Sequence, residues 1–294
     1  MKRTISILWL IWAGICTAQA AKSYDNADTI VVAQDGSGEF QTISEAVEVC
    51  RAFMEYHKVI YIKKGVYCEK VVIPSWLTNI ELCGEDAETT ILTHNDHANM
   101  VYPNTKMKLS TFRTYTLKIE GSDITIKNLT MESGCRAIMI MYPTEDIILD
   151  NVNIGGDGVL YPINTGEAGS EGVNLIVTNS TLAGWTSYGE IESASFTNVK
   201  FEQGTYYKNI YGRVLKPYVN TTITDCSFIA HMNLDLSKLV SGHKIVFKNC
   251  KVDGQELTID KFTIPSTDAE YDTELFTIDL PDWATSITDC VVFE

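Results

Sequence analysis

The sequence has no apolar run long enough to span a bilayer, no C-x-x-C pair and no basic surplus. Each absence closes off a class of function. The longest apolar stretch, Ile5 to Cys16, follows Lys2 and Arg3 and leads into Ala18-Gln19-Ala20. That is the layout of a cleaved export signal, too short for a membrane span. A lipid anchor on Cys16 is the competing reading, but Ala13-Gly14-Ile15 makes a poor lipobox. The expectation is a signal over residues 1–20, cleaved near Ala20, and a secreted, extracellular or periplasmic domain over 21–294. The formal charge is −15 over 294 residues and −17 once Lys2 and Arg3 leave. Phosphate backbones need a basic face, so nucleic acid is excluded as a partner, and tight binding to a densely anionic polymer is disfavoured. Of eight cysteines, Cys16 leaves with the signal. Seven unpaired residues give neither a disulfide framework nor a zinc site. Cys50, Cys83, Cys226 and Cys250 sit in apolar runs and are expected as small core residues.

What the chain does have is a repeat. "ITIKNLTM", "IILDNVNI", "LIVTNSTL", "ASFTNVKF", "TTITDCSF" and "KIVFKNCKV" share β-type residues followed by Asn or Asp, then one residue, a polar one and an apolar one. The Asn or Asp positions are 128, 151, 179, 198, 225 and 249, spaced by 23, 28, 19, 27 and 24 residues. This period signals a solenoid. Thr, Val, Ile and Phe dominate, Leu-x-x-Leu grammar is scarce, and no second helix appears in each repeat. Each repeat therefore reads as one coil of a parallel β-helix. Asn or Asp marks a bend where the backbone turns left-handed. Cys226 and Cys250 fall at equivalent positions one coil apart.

A solenoid needs its ends covered. Thr42-Ile43-Ser44-Glu45 reads as a capping box. Ile43, Ala46, Val47, Cys50 and Phe53 or Met54 then recur at helical spacing, suited to plugging the first coil. "KVIYIKKGVYCEKVVI" and "TNIELCGE" read as strands broken at Gly65 and Gly84. The tail from Lys261 to Glu294 either completes the last coil or covers it.

"DGSGEFQTISEAV", "VIYIKKGVYCEKVVI", "NIELCGEDAETTIL" and "STFRTYTLKIEGSDITIKNLTMES" closely resemble the N-terminal half of pectin methylesterases. The match is strong from about Val31 to Ser133 and weaker beyond. The resemblance implies an all-β fold, a single-stranded right-handed parallel β-helix of the pectin-lyase kind. It also implies a secreted carbohydrate esterase that needs no metal or other cofactor. One Asp attacks the methyl ester, another serves as acid and base, glutamines hold the oxyanion and an arginine assists. Such a division keeps two carboxylates in different electrostatic settings.

The family's residues do not carry over intact. Its "QAVAL" corresponds to Arg136-Ala137-Ile138-Met139-Ile140, with Arg for Gln. Its "GYQDTLY" corresponds to Gly155-Gly156-Asp157-Gly158-Val159-Leu160-Tyr161, with Asp157 at the Gln position and Gly158 in place of the acid/base. "GxVDFIFG" best matches Gly184-Trp185-Thr186-Ser187-Tyr188-Gly189, which puts Ser187 at the nucleophile's position. "GRPW" survives as Gly212-Arg213-Val214-Leu215. Two readings follow. The chain binds plant-type polysaccharide (pectin, neutral or methylated) with its esterase site lost. Alternatively, it hydrolyses methyl esters through a displaced site built on Asp157 and Arg213, with Glu190 or Glu192 near the missing nucleophile.

Other constellations are weaker. Six residues after each bend stand Gly134, Asp157, Trp185, Gly204, His231 and Gln255. Asp157 and His231 would lie three coils, roughly 14 Å, apart at the usual strand spacing, too far for a dyad. His94, Asp96 and His97 lack a fourth metal ligand and read as a solvated loop. Asp123, Glu145, Asp146 and Asp150 have the spacing of solvated turns rather than of a calcium-dependent lyase site. The aromatic cluster Trp185, Tyr188, Tyr206, Tyr207, Tyr211 and Tyr218 offers rings that stack on sugars, or that fill the core. Trp185, Tyr188, Tyr161 and Tyr211 are the sugar-binding candidates, with Arg213 or Lys216 to hold a carboxylate. A monomer with no cofactor and no metal is expected.

Overall fold

The computed structural model describes residues 22–97, 99–102, 104–133, 135–141, 145–155, 161–165, 173–189, 191–202, 212–229, 232–263 and 276–294. At 111, 133, 161, 162, 212–214, 232, 263, 276 and 277 the description is of the backbone. The expected signal segment, with Cys16, lies outside the described residues. No helix among the described residues is long and apolar enough to cross a membrane.

The described chain is nearly all strand, and its coil-to-coil pairings are parallel. One sheet of seventeen strands wraps around the Asn bends, and a second of nine strands closes the coil. In a typical coil, Asn174–Thr178 and Thr181–Ala183 flank the bend at Asn179, and Thr186–Tyr188 then runs in the second sheet.

The repeat grammar maps directly onto backbone geometry. Asn128, Asn151, Asn179, Asn198, Asp225 and Asn249 all have φ between 49° and 54°. That is the left-handed region, which Asn and Asp tolerate better than other side-chain-bearing residues. Their amides also form a broken ladder on the outside. Asn151 Nδ2 donates to Asn128 Oδ1 (2.8 Å), Asn198 Nδ2 to Asn179 Oδ1 (2.9 Å) and Asn249 Nδ2 to Asp225 Oδ1 (2.5 Å). Asn179 breaks the sequence by donating to Asp150 Oδ1 at 2.8 Å.

Alternation on each strand sends one set of residues inward, and parallel register stacks that set coil upon coil. One such column runs Ile30, Ile60, Leu82, Ile126, Leu149, Val177, Phe196, Ile223, Phe247 and Phe293. Towards the C-terminal end the core turns aromatic. Phe201 and Phe228 stack with centroids 4.8 Å apart, and Phe247 and Phe293 at 5.5 Å. The tail completes a coil: Phe276–Asp279 joins the second sheet beside Met232–Asp235, and Val291–Phe293 joins the first beside Ile245–Lys248.

At the other end a short helix, Ile43–Glu48, buries Ile43, Ala46 and Val47. It is shorter than the spacing predicts. Met54 continues the buried face after the helix has ended, whereas Phe53 is 75% exposed. Only half of the expected capping box forms. Glu45 N donates to Thr42 Oγ1 (3.2 Å), but the Glu45 carboxylate accepts from the Thr42 hydroxyl instead of from the cap N–H. Glu69, at the end of a neighbouring strand, supplies the anionic cap by accepting from Ile43 N (2.8 Å) and Ser44 N (2.9 Å). A first-turn carboxylate suits the exposed N–H groups, whichever chain segment brings it.

The cysteines among the described residues are free. Cys226 and Cys250 are buried one coil apart, and hydrogen bonding to Cys250 together with burial pushes the Cys226 thiol well up. Cys83 corrects the expectation of a core residue. It is half-buried on the outer side, 3.9 Å from Asn128 Nδ2.

Candidate functional site

The second sheet carries the candidate site on its outer face. Register places Lys118, Met139, Asn164, Ser187 and Lys216 in one row across five successive strands. Asn164 Oδ1 accepts from Arg136 Nε at 3.1 Å, and the Arg136 guanidinium lies 5.5 Å from the Phe112 ring. Arg136 is only 7% exposed, so its charge is held close to the row. Lys216 Nζ donates to Asp235 Oδ2 at 2.8 Å and stands 5.4 Å from the centre of the half-buried Trp185 ring. Next to it, Asn233 Nδ2 donates to Asp279 Oδ2 at 3.1 Å.

Burial would raise the Asp235 carboxyl, but hydrogen bonds from Lys216 and Ser237 outweigh it and hold the group below the usual carboxylate range. The Ser237 N–H (3.1 Å) and hydroxyl (2.5 Å) both donate to its other oxygen. The row therefore ends in a tightly compensated ion pair. Asp235 stays ionised and holds no proton to give at neutral pH.

The strand carrying Ser187 is fixed from behind. Thr165 Oγ1 bridges Gly189, donating to its carbonyl (2.8 Å) and accepting from its N–H (2.7 Å). Gly189 itself is dictated by space, since a Cβ there would stand 2.3 Å from the Tyr218 ring.

The sequence-derived candidates separate in this frame. Trp185 and Lys216 come together at the row. Tyr188 is a correction: it is fully buried, its hydroxyl bonds Thr221 Oγ1 at 3.0 Å, and its ring packs 5.7 Å from Phe196. Burial pushes its phenol above the ordinary range. The reason is parity: Ser187 takes the outward position on a three-residue strand, so Tyr188 must face in. It presents nothing to a sugar. Tyr161 pairs its backbone with Arg136, and Arg213 with Asn233, their side chains lying outside the described residues. Asp157, Gly158, Glu190, Tyr206, Tyr207, Tyr211 and His231 also lie outside them. His94 and Asp96 lie together, Nδ1 to Oδ1 at 3.5 Å, but no group of three or more His, Cys, Asp or Glu among the described residues is arranged for a metal.

Sequence reasoning missed Asn164 and Asp235. Asn164 was findable, being the residue one coil before Ser187 at the same strand parity. Asp235 was not, because the pairing of 212–217 with 232–235 shifts between Arg213 and Leu215. That irregularity breaks the simple count that would have set Asp235 beside Lys216.

Comparison with known proteins fits this geometry. The pectinesterase family model matches residues 29–162. A pectinesterase/pectinesterase inhibitor of Brassica campestris is 46% identical over 141 residues, 47% of this chain and 24% of that protein. A pectinesterase of Petunia integrifolia is 32% identical over 146 residues, 48% of this chain and 37% of that protein. The chain thus spans well under half the length of these relatives. Among solved structures, the pectin methylesterase of Erwinia chrysanthemi superposes with a TM-score of 0.56 at 13% identity, covering 80% of this chain and 92% of that one. Such a likeness speaks to the fold alone, the right-handed parallel β-helix. Residues 29–162 are thus similar to pectinesterases, and the whole described chain shares their fold.

Proposed function

We propose that this protein binds a pectin-type polysaccharide along the outer face of its second sheet and does not hydrolyse its methyl esters. The observation that carries the reading is Ser187. It occupies the position that the family resemblance gives to the nucleophilic carboxylate, and its neighbours in the row are Asn164 and Lys216. Ester hydrolysis by two carboxylates needs one of them held protonated. Asp235, the acid paired to this row, is held ionised instead.

Binding asks less of the same residues. The Trp185 ring offers a flat apolar face for a sugar, and Arg136, Asn164 and Lys216 offer donors and acceptors for hydroxyl and ester oxygens. The chain's net negative charge favours a methylated polymer over bare polygalacturonate. In this proposal residues 1–20 are a cleaved signal, and residues 21–294 act outside the cytoplasm as a monomeric β-helix that takes no cofactor.

Affinity electrophoresis through gels cast with highly methylated or demethylated pectin tests the reading. The protein should be retarded by methylated pectin, and Trp185→Ala should relieve the retardation. Equal mobility in methylated-pectin and plain gels would refute it.

A further inference from the structure

A second site lies apart from that row. Where Gly65–Cys68 and Thr90–His94 leave the first sheet, residues 99–102 and 104–109 run back along each other, with Val101 bridging antiparallel to Lys108. Their backbone bonds include Asn99 N to Leu109 O (3.1 Å) and Leu109 N to Met100 O (2.7 Å). These segments and the strand ends line a half-open cavity of about 490 Å³. Met100, Val101, Tyr102 and Leu109 make its apolar wall, and Cys68, His94 and Asp96 its polar end. Small-molecule pockets commonly run from about 300 to 1,000 Å³, whereas a cavity of about 150 Å³ already takes benzene.

The polar end is electrically closed. Asp96 Oδ2 accepts from Lys70 Nζ at 2.7 Å, and Lys70 also donates to the Arg113 carbonyl (2.5 Å). His94 Nδ1 is buried, with Asp96 Oδ1 at 3.5 Å, too long for a good hydrogen bond. An anion at this end would meet the Asp96 carboxylate, whereas a hydroxyl can bond there without disturbing the Lys70–Asp96 pair. The approach is apolar. Two of the cavity's wall residues, Val101 and Tyr102, are large hydrophobic side chains left exposed. Exposed apolar residues gathered at the mouth of a cavity mark a binding surface.

We propose that this cavity binds an uncharged, hydroxyl-bearing aromatic molecule of about one or two rings. The inference does not depend on the polysaccharide reading, because the cavity shares no residue with the Arg136–Asn164–Lys216 row. Cys68 supplies the reporter, since it is exposed, Cys83 is half-buried, and the other described cysteines are buried.

The purified chain is treated with iodoacetamide at neutral pH, and Cys68 alkylation is followed by peptide mass spectrometry with and without 2-naphthol. Alkylation should slow by about tenfold at a probe concentration about ten times its dissociation constant. Naphthalene-2-sulfonate, the same ring system with a fixed negative charge, should protect weakly. Val101→Trp, at a half-exposed position of the wall, should fill the cavity and abolish protection by 2-naphthol while leaving the circular dichroism melt unchanged. If that variant melts early, Asp96→Asn is read instead, and it should weaken protection by 2-naphthol. Absence of protection up to the solubility limit of 2-naphthol, or equal protection by the sulfonate, would overturn the proposal.

Discussion

Asn179 gives the sharpest test of how the sequence makes the coil. Its φ is 50°, and its amide donates to Asp150 Oδ1 (2.8 Å) and accepts from Asn198 Nδ2 (2.9 Å). Replacement by Ala places a Cβ in the left-handed region, at a cost of about 1–2 kcal/mol, less whatever Asn already bears there. It also removes two hydrogen bonds on an exposed side chain, each worth about 0.5 kcal/mol at the low end of the usual range. Replacement by Gly removes the same two bonds but carries no Cβ, so the backbone term vanishes. Asn179→Ala should therefore destabilise by about 2 kcal/mol and Asn179→Gly by about 1 kcal/mol. The assay is urea unfolding followed by both tryptophan fluorescence and far-UV circular dichroism. Solenoids need not unfold in one step, so the two probes must coincide before a free energy is taken. If Gly proves as damaging as Ala, or worse, the bend does not recur for its left-handed backbone. The derivation of the fold from the Asn repeat then fails.

Other outcomes follow from the same structure. Tyr188→Phe should lower stability by about 1 kcal/mol through loss of the Thr221 bond, and should leave pectin retardation unchanged, whereas Trp185→Ala should abolish it. Phe201→Ala, in the buried aromatic stack, should cost about 3–5 kcal/mol in urea unfolding. Lys216→Met should destabilise by about 2–4 kcal/mol at pH 7, because it strands the Asp235 charge. In the wild type the Asp235 carboxyl is depressed, so its contribution is full above the ordinary carboxylate range of about 4 and fades as pH falls through the lower folded value. In Lys216→Met burial raises that group instead, so the variant's deficit should shrink as pH approaches 4; a deficit constant from pH 7 to pH 4 would show that the pair is not responsible.

The coil architecture was legible because it rests on one local rule repeated. Each Asn or Asp marks a left-handed bend, and strand alternation around it decides which residues face in. The same rule located the stacked positions of Cys226 and Cys250, whereas Ser187 came from the family resemblance. It faltered where a longer-range partner intervened. The helix cap came from Glu69, a residue of a later strand that no capping-box pattern could nominate. Tyr188 looked like part of a surface aromatic cluster because a three-residue strand is too short for alternation to show in sequence. Asp235 was hidden by a register shift, and the cavity beside Cys68 by segments with no repeat grammar. What was read correctly was periodic; what was missed depended on side chains from different coils meeting.

We propose that a pectinesterase-like scaffold persists here without ester-hydrolysing carboxylates. Methanol release from highly methylated pectin by the purified protein tests it most directly. Release should be indistinguishable from the no-protein blank, and the protein should be retarded in methylated-pectin gels. Sustained release that disappears in Asp157→Ala would contradict this proposal and establish a displaced esterase site.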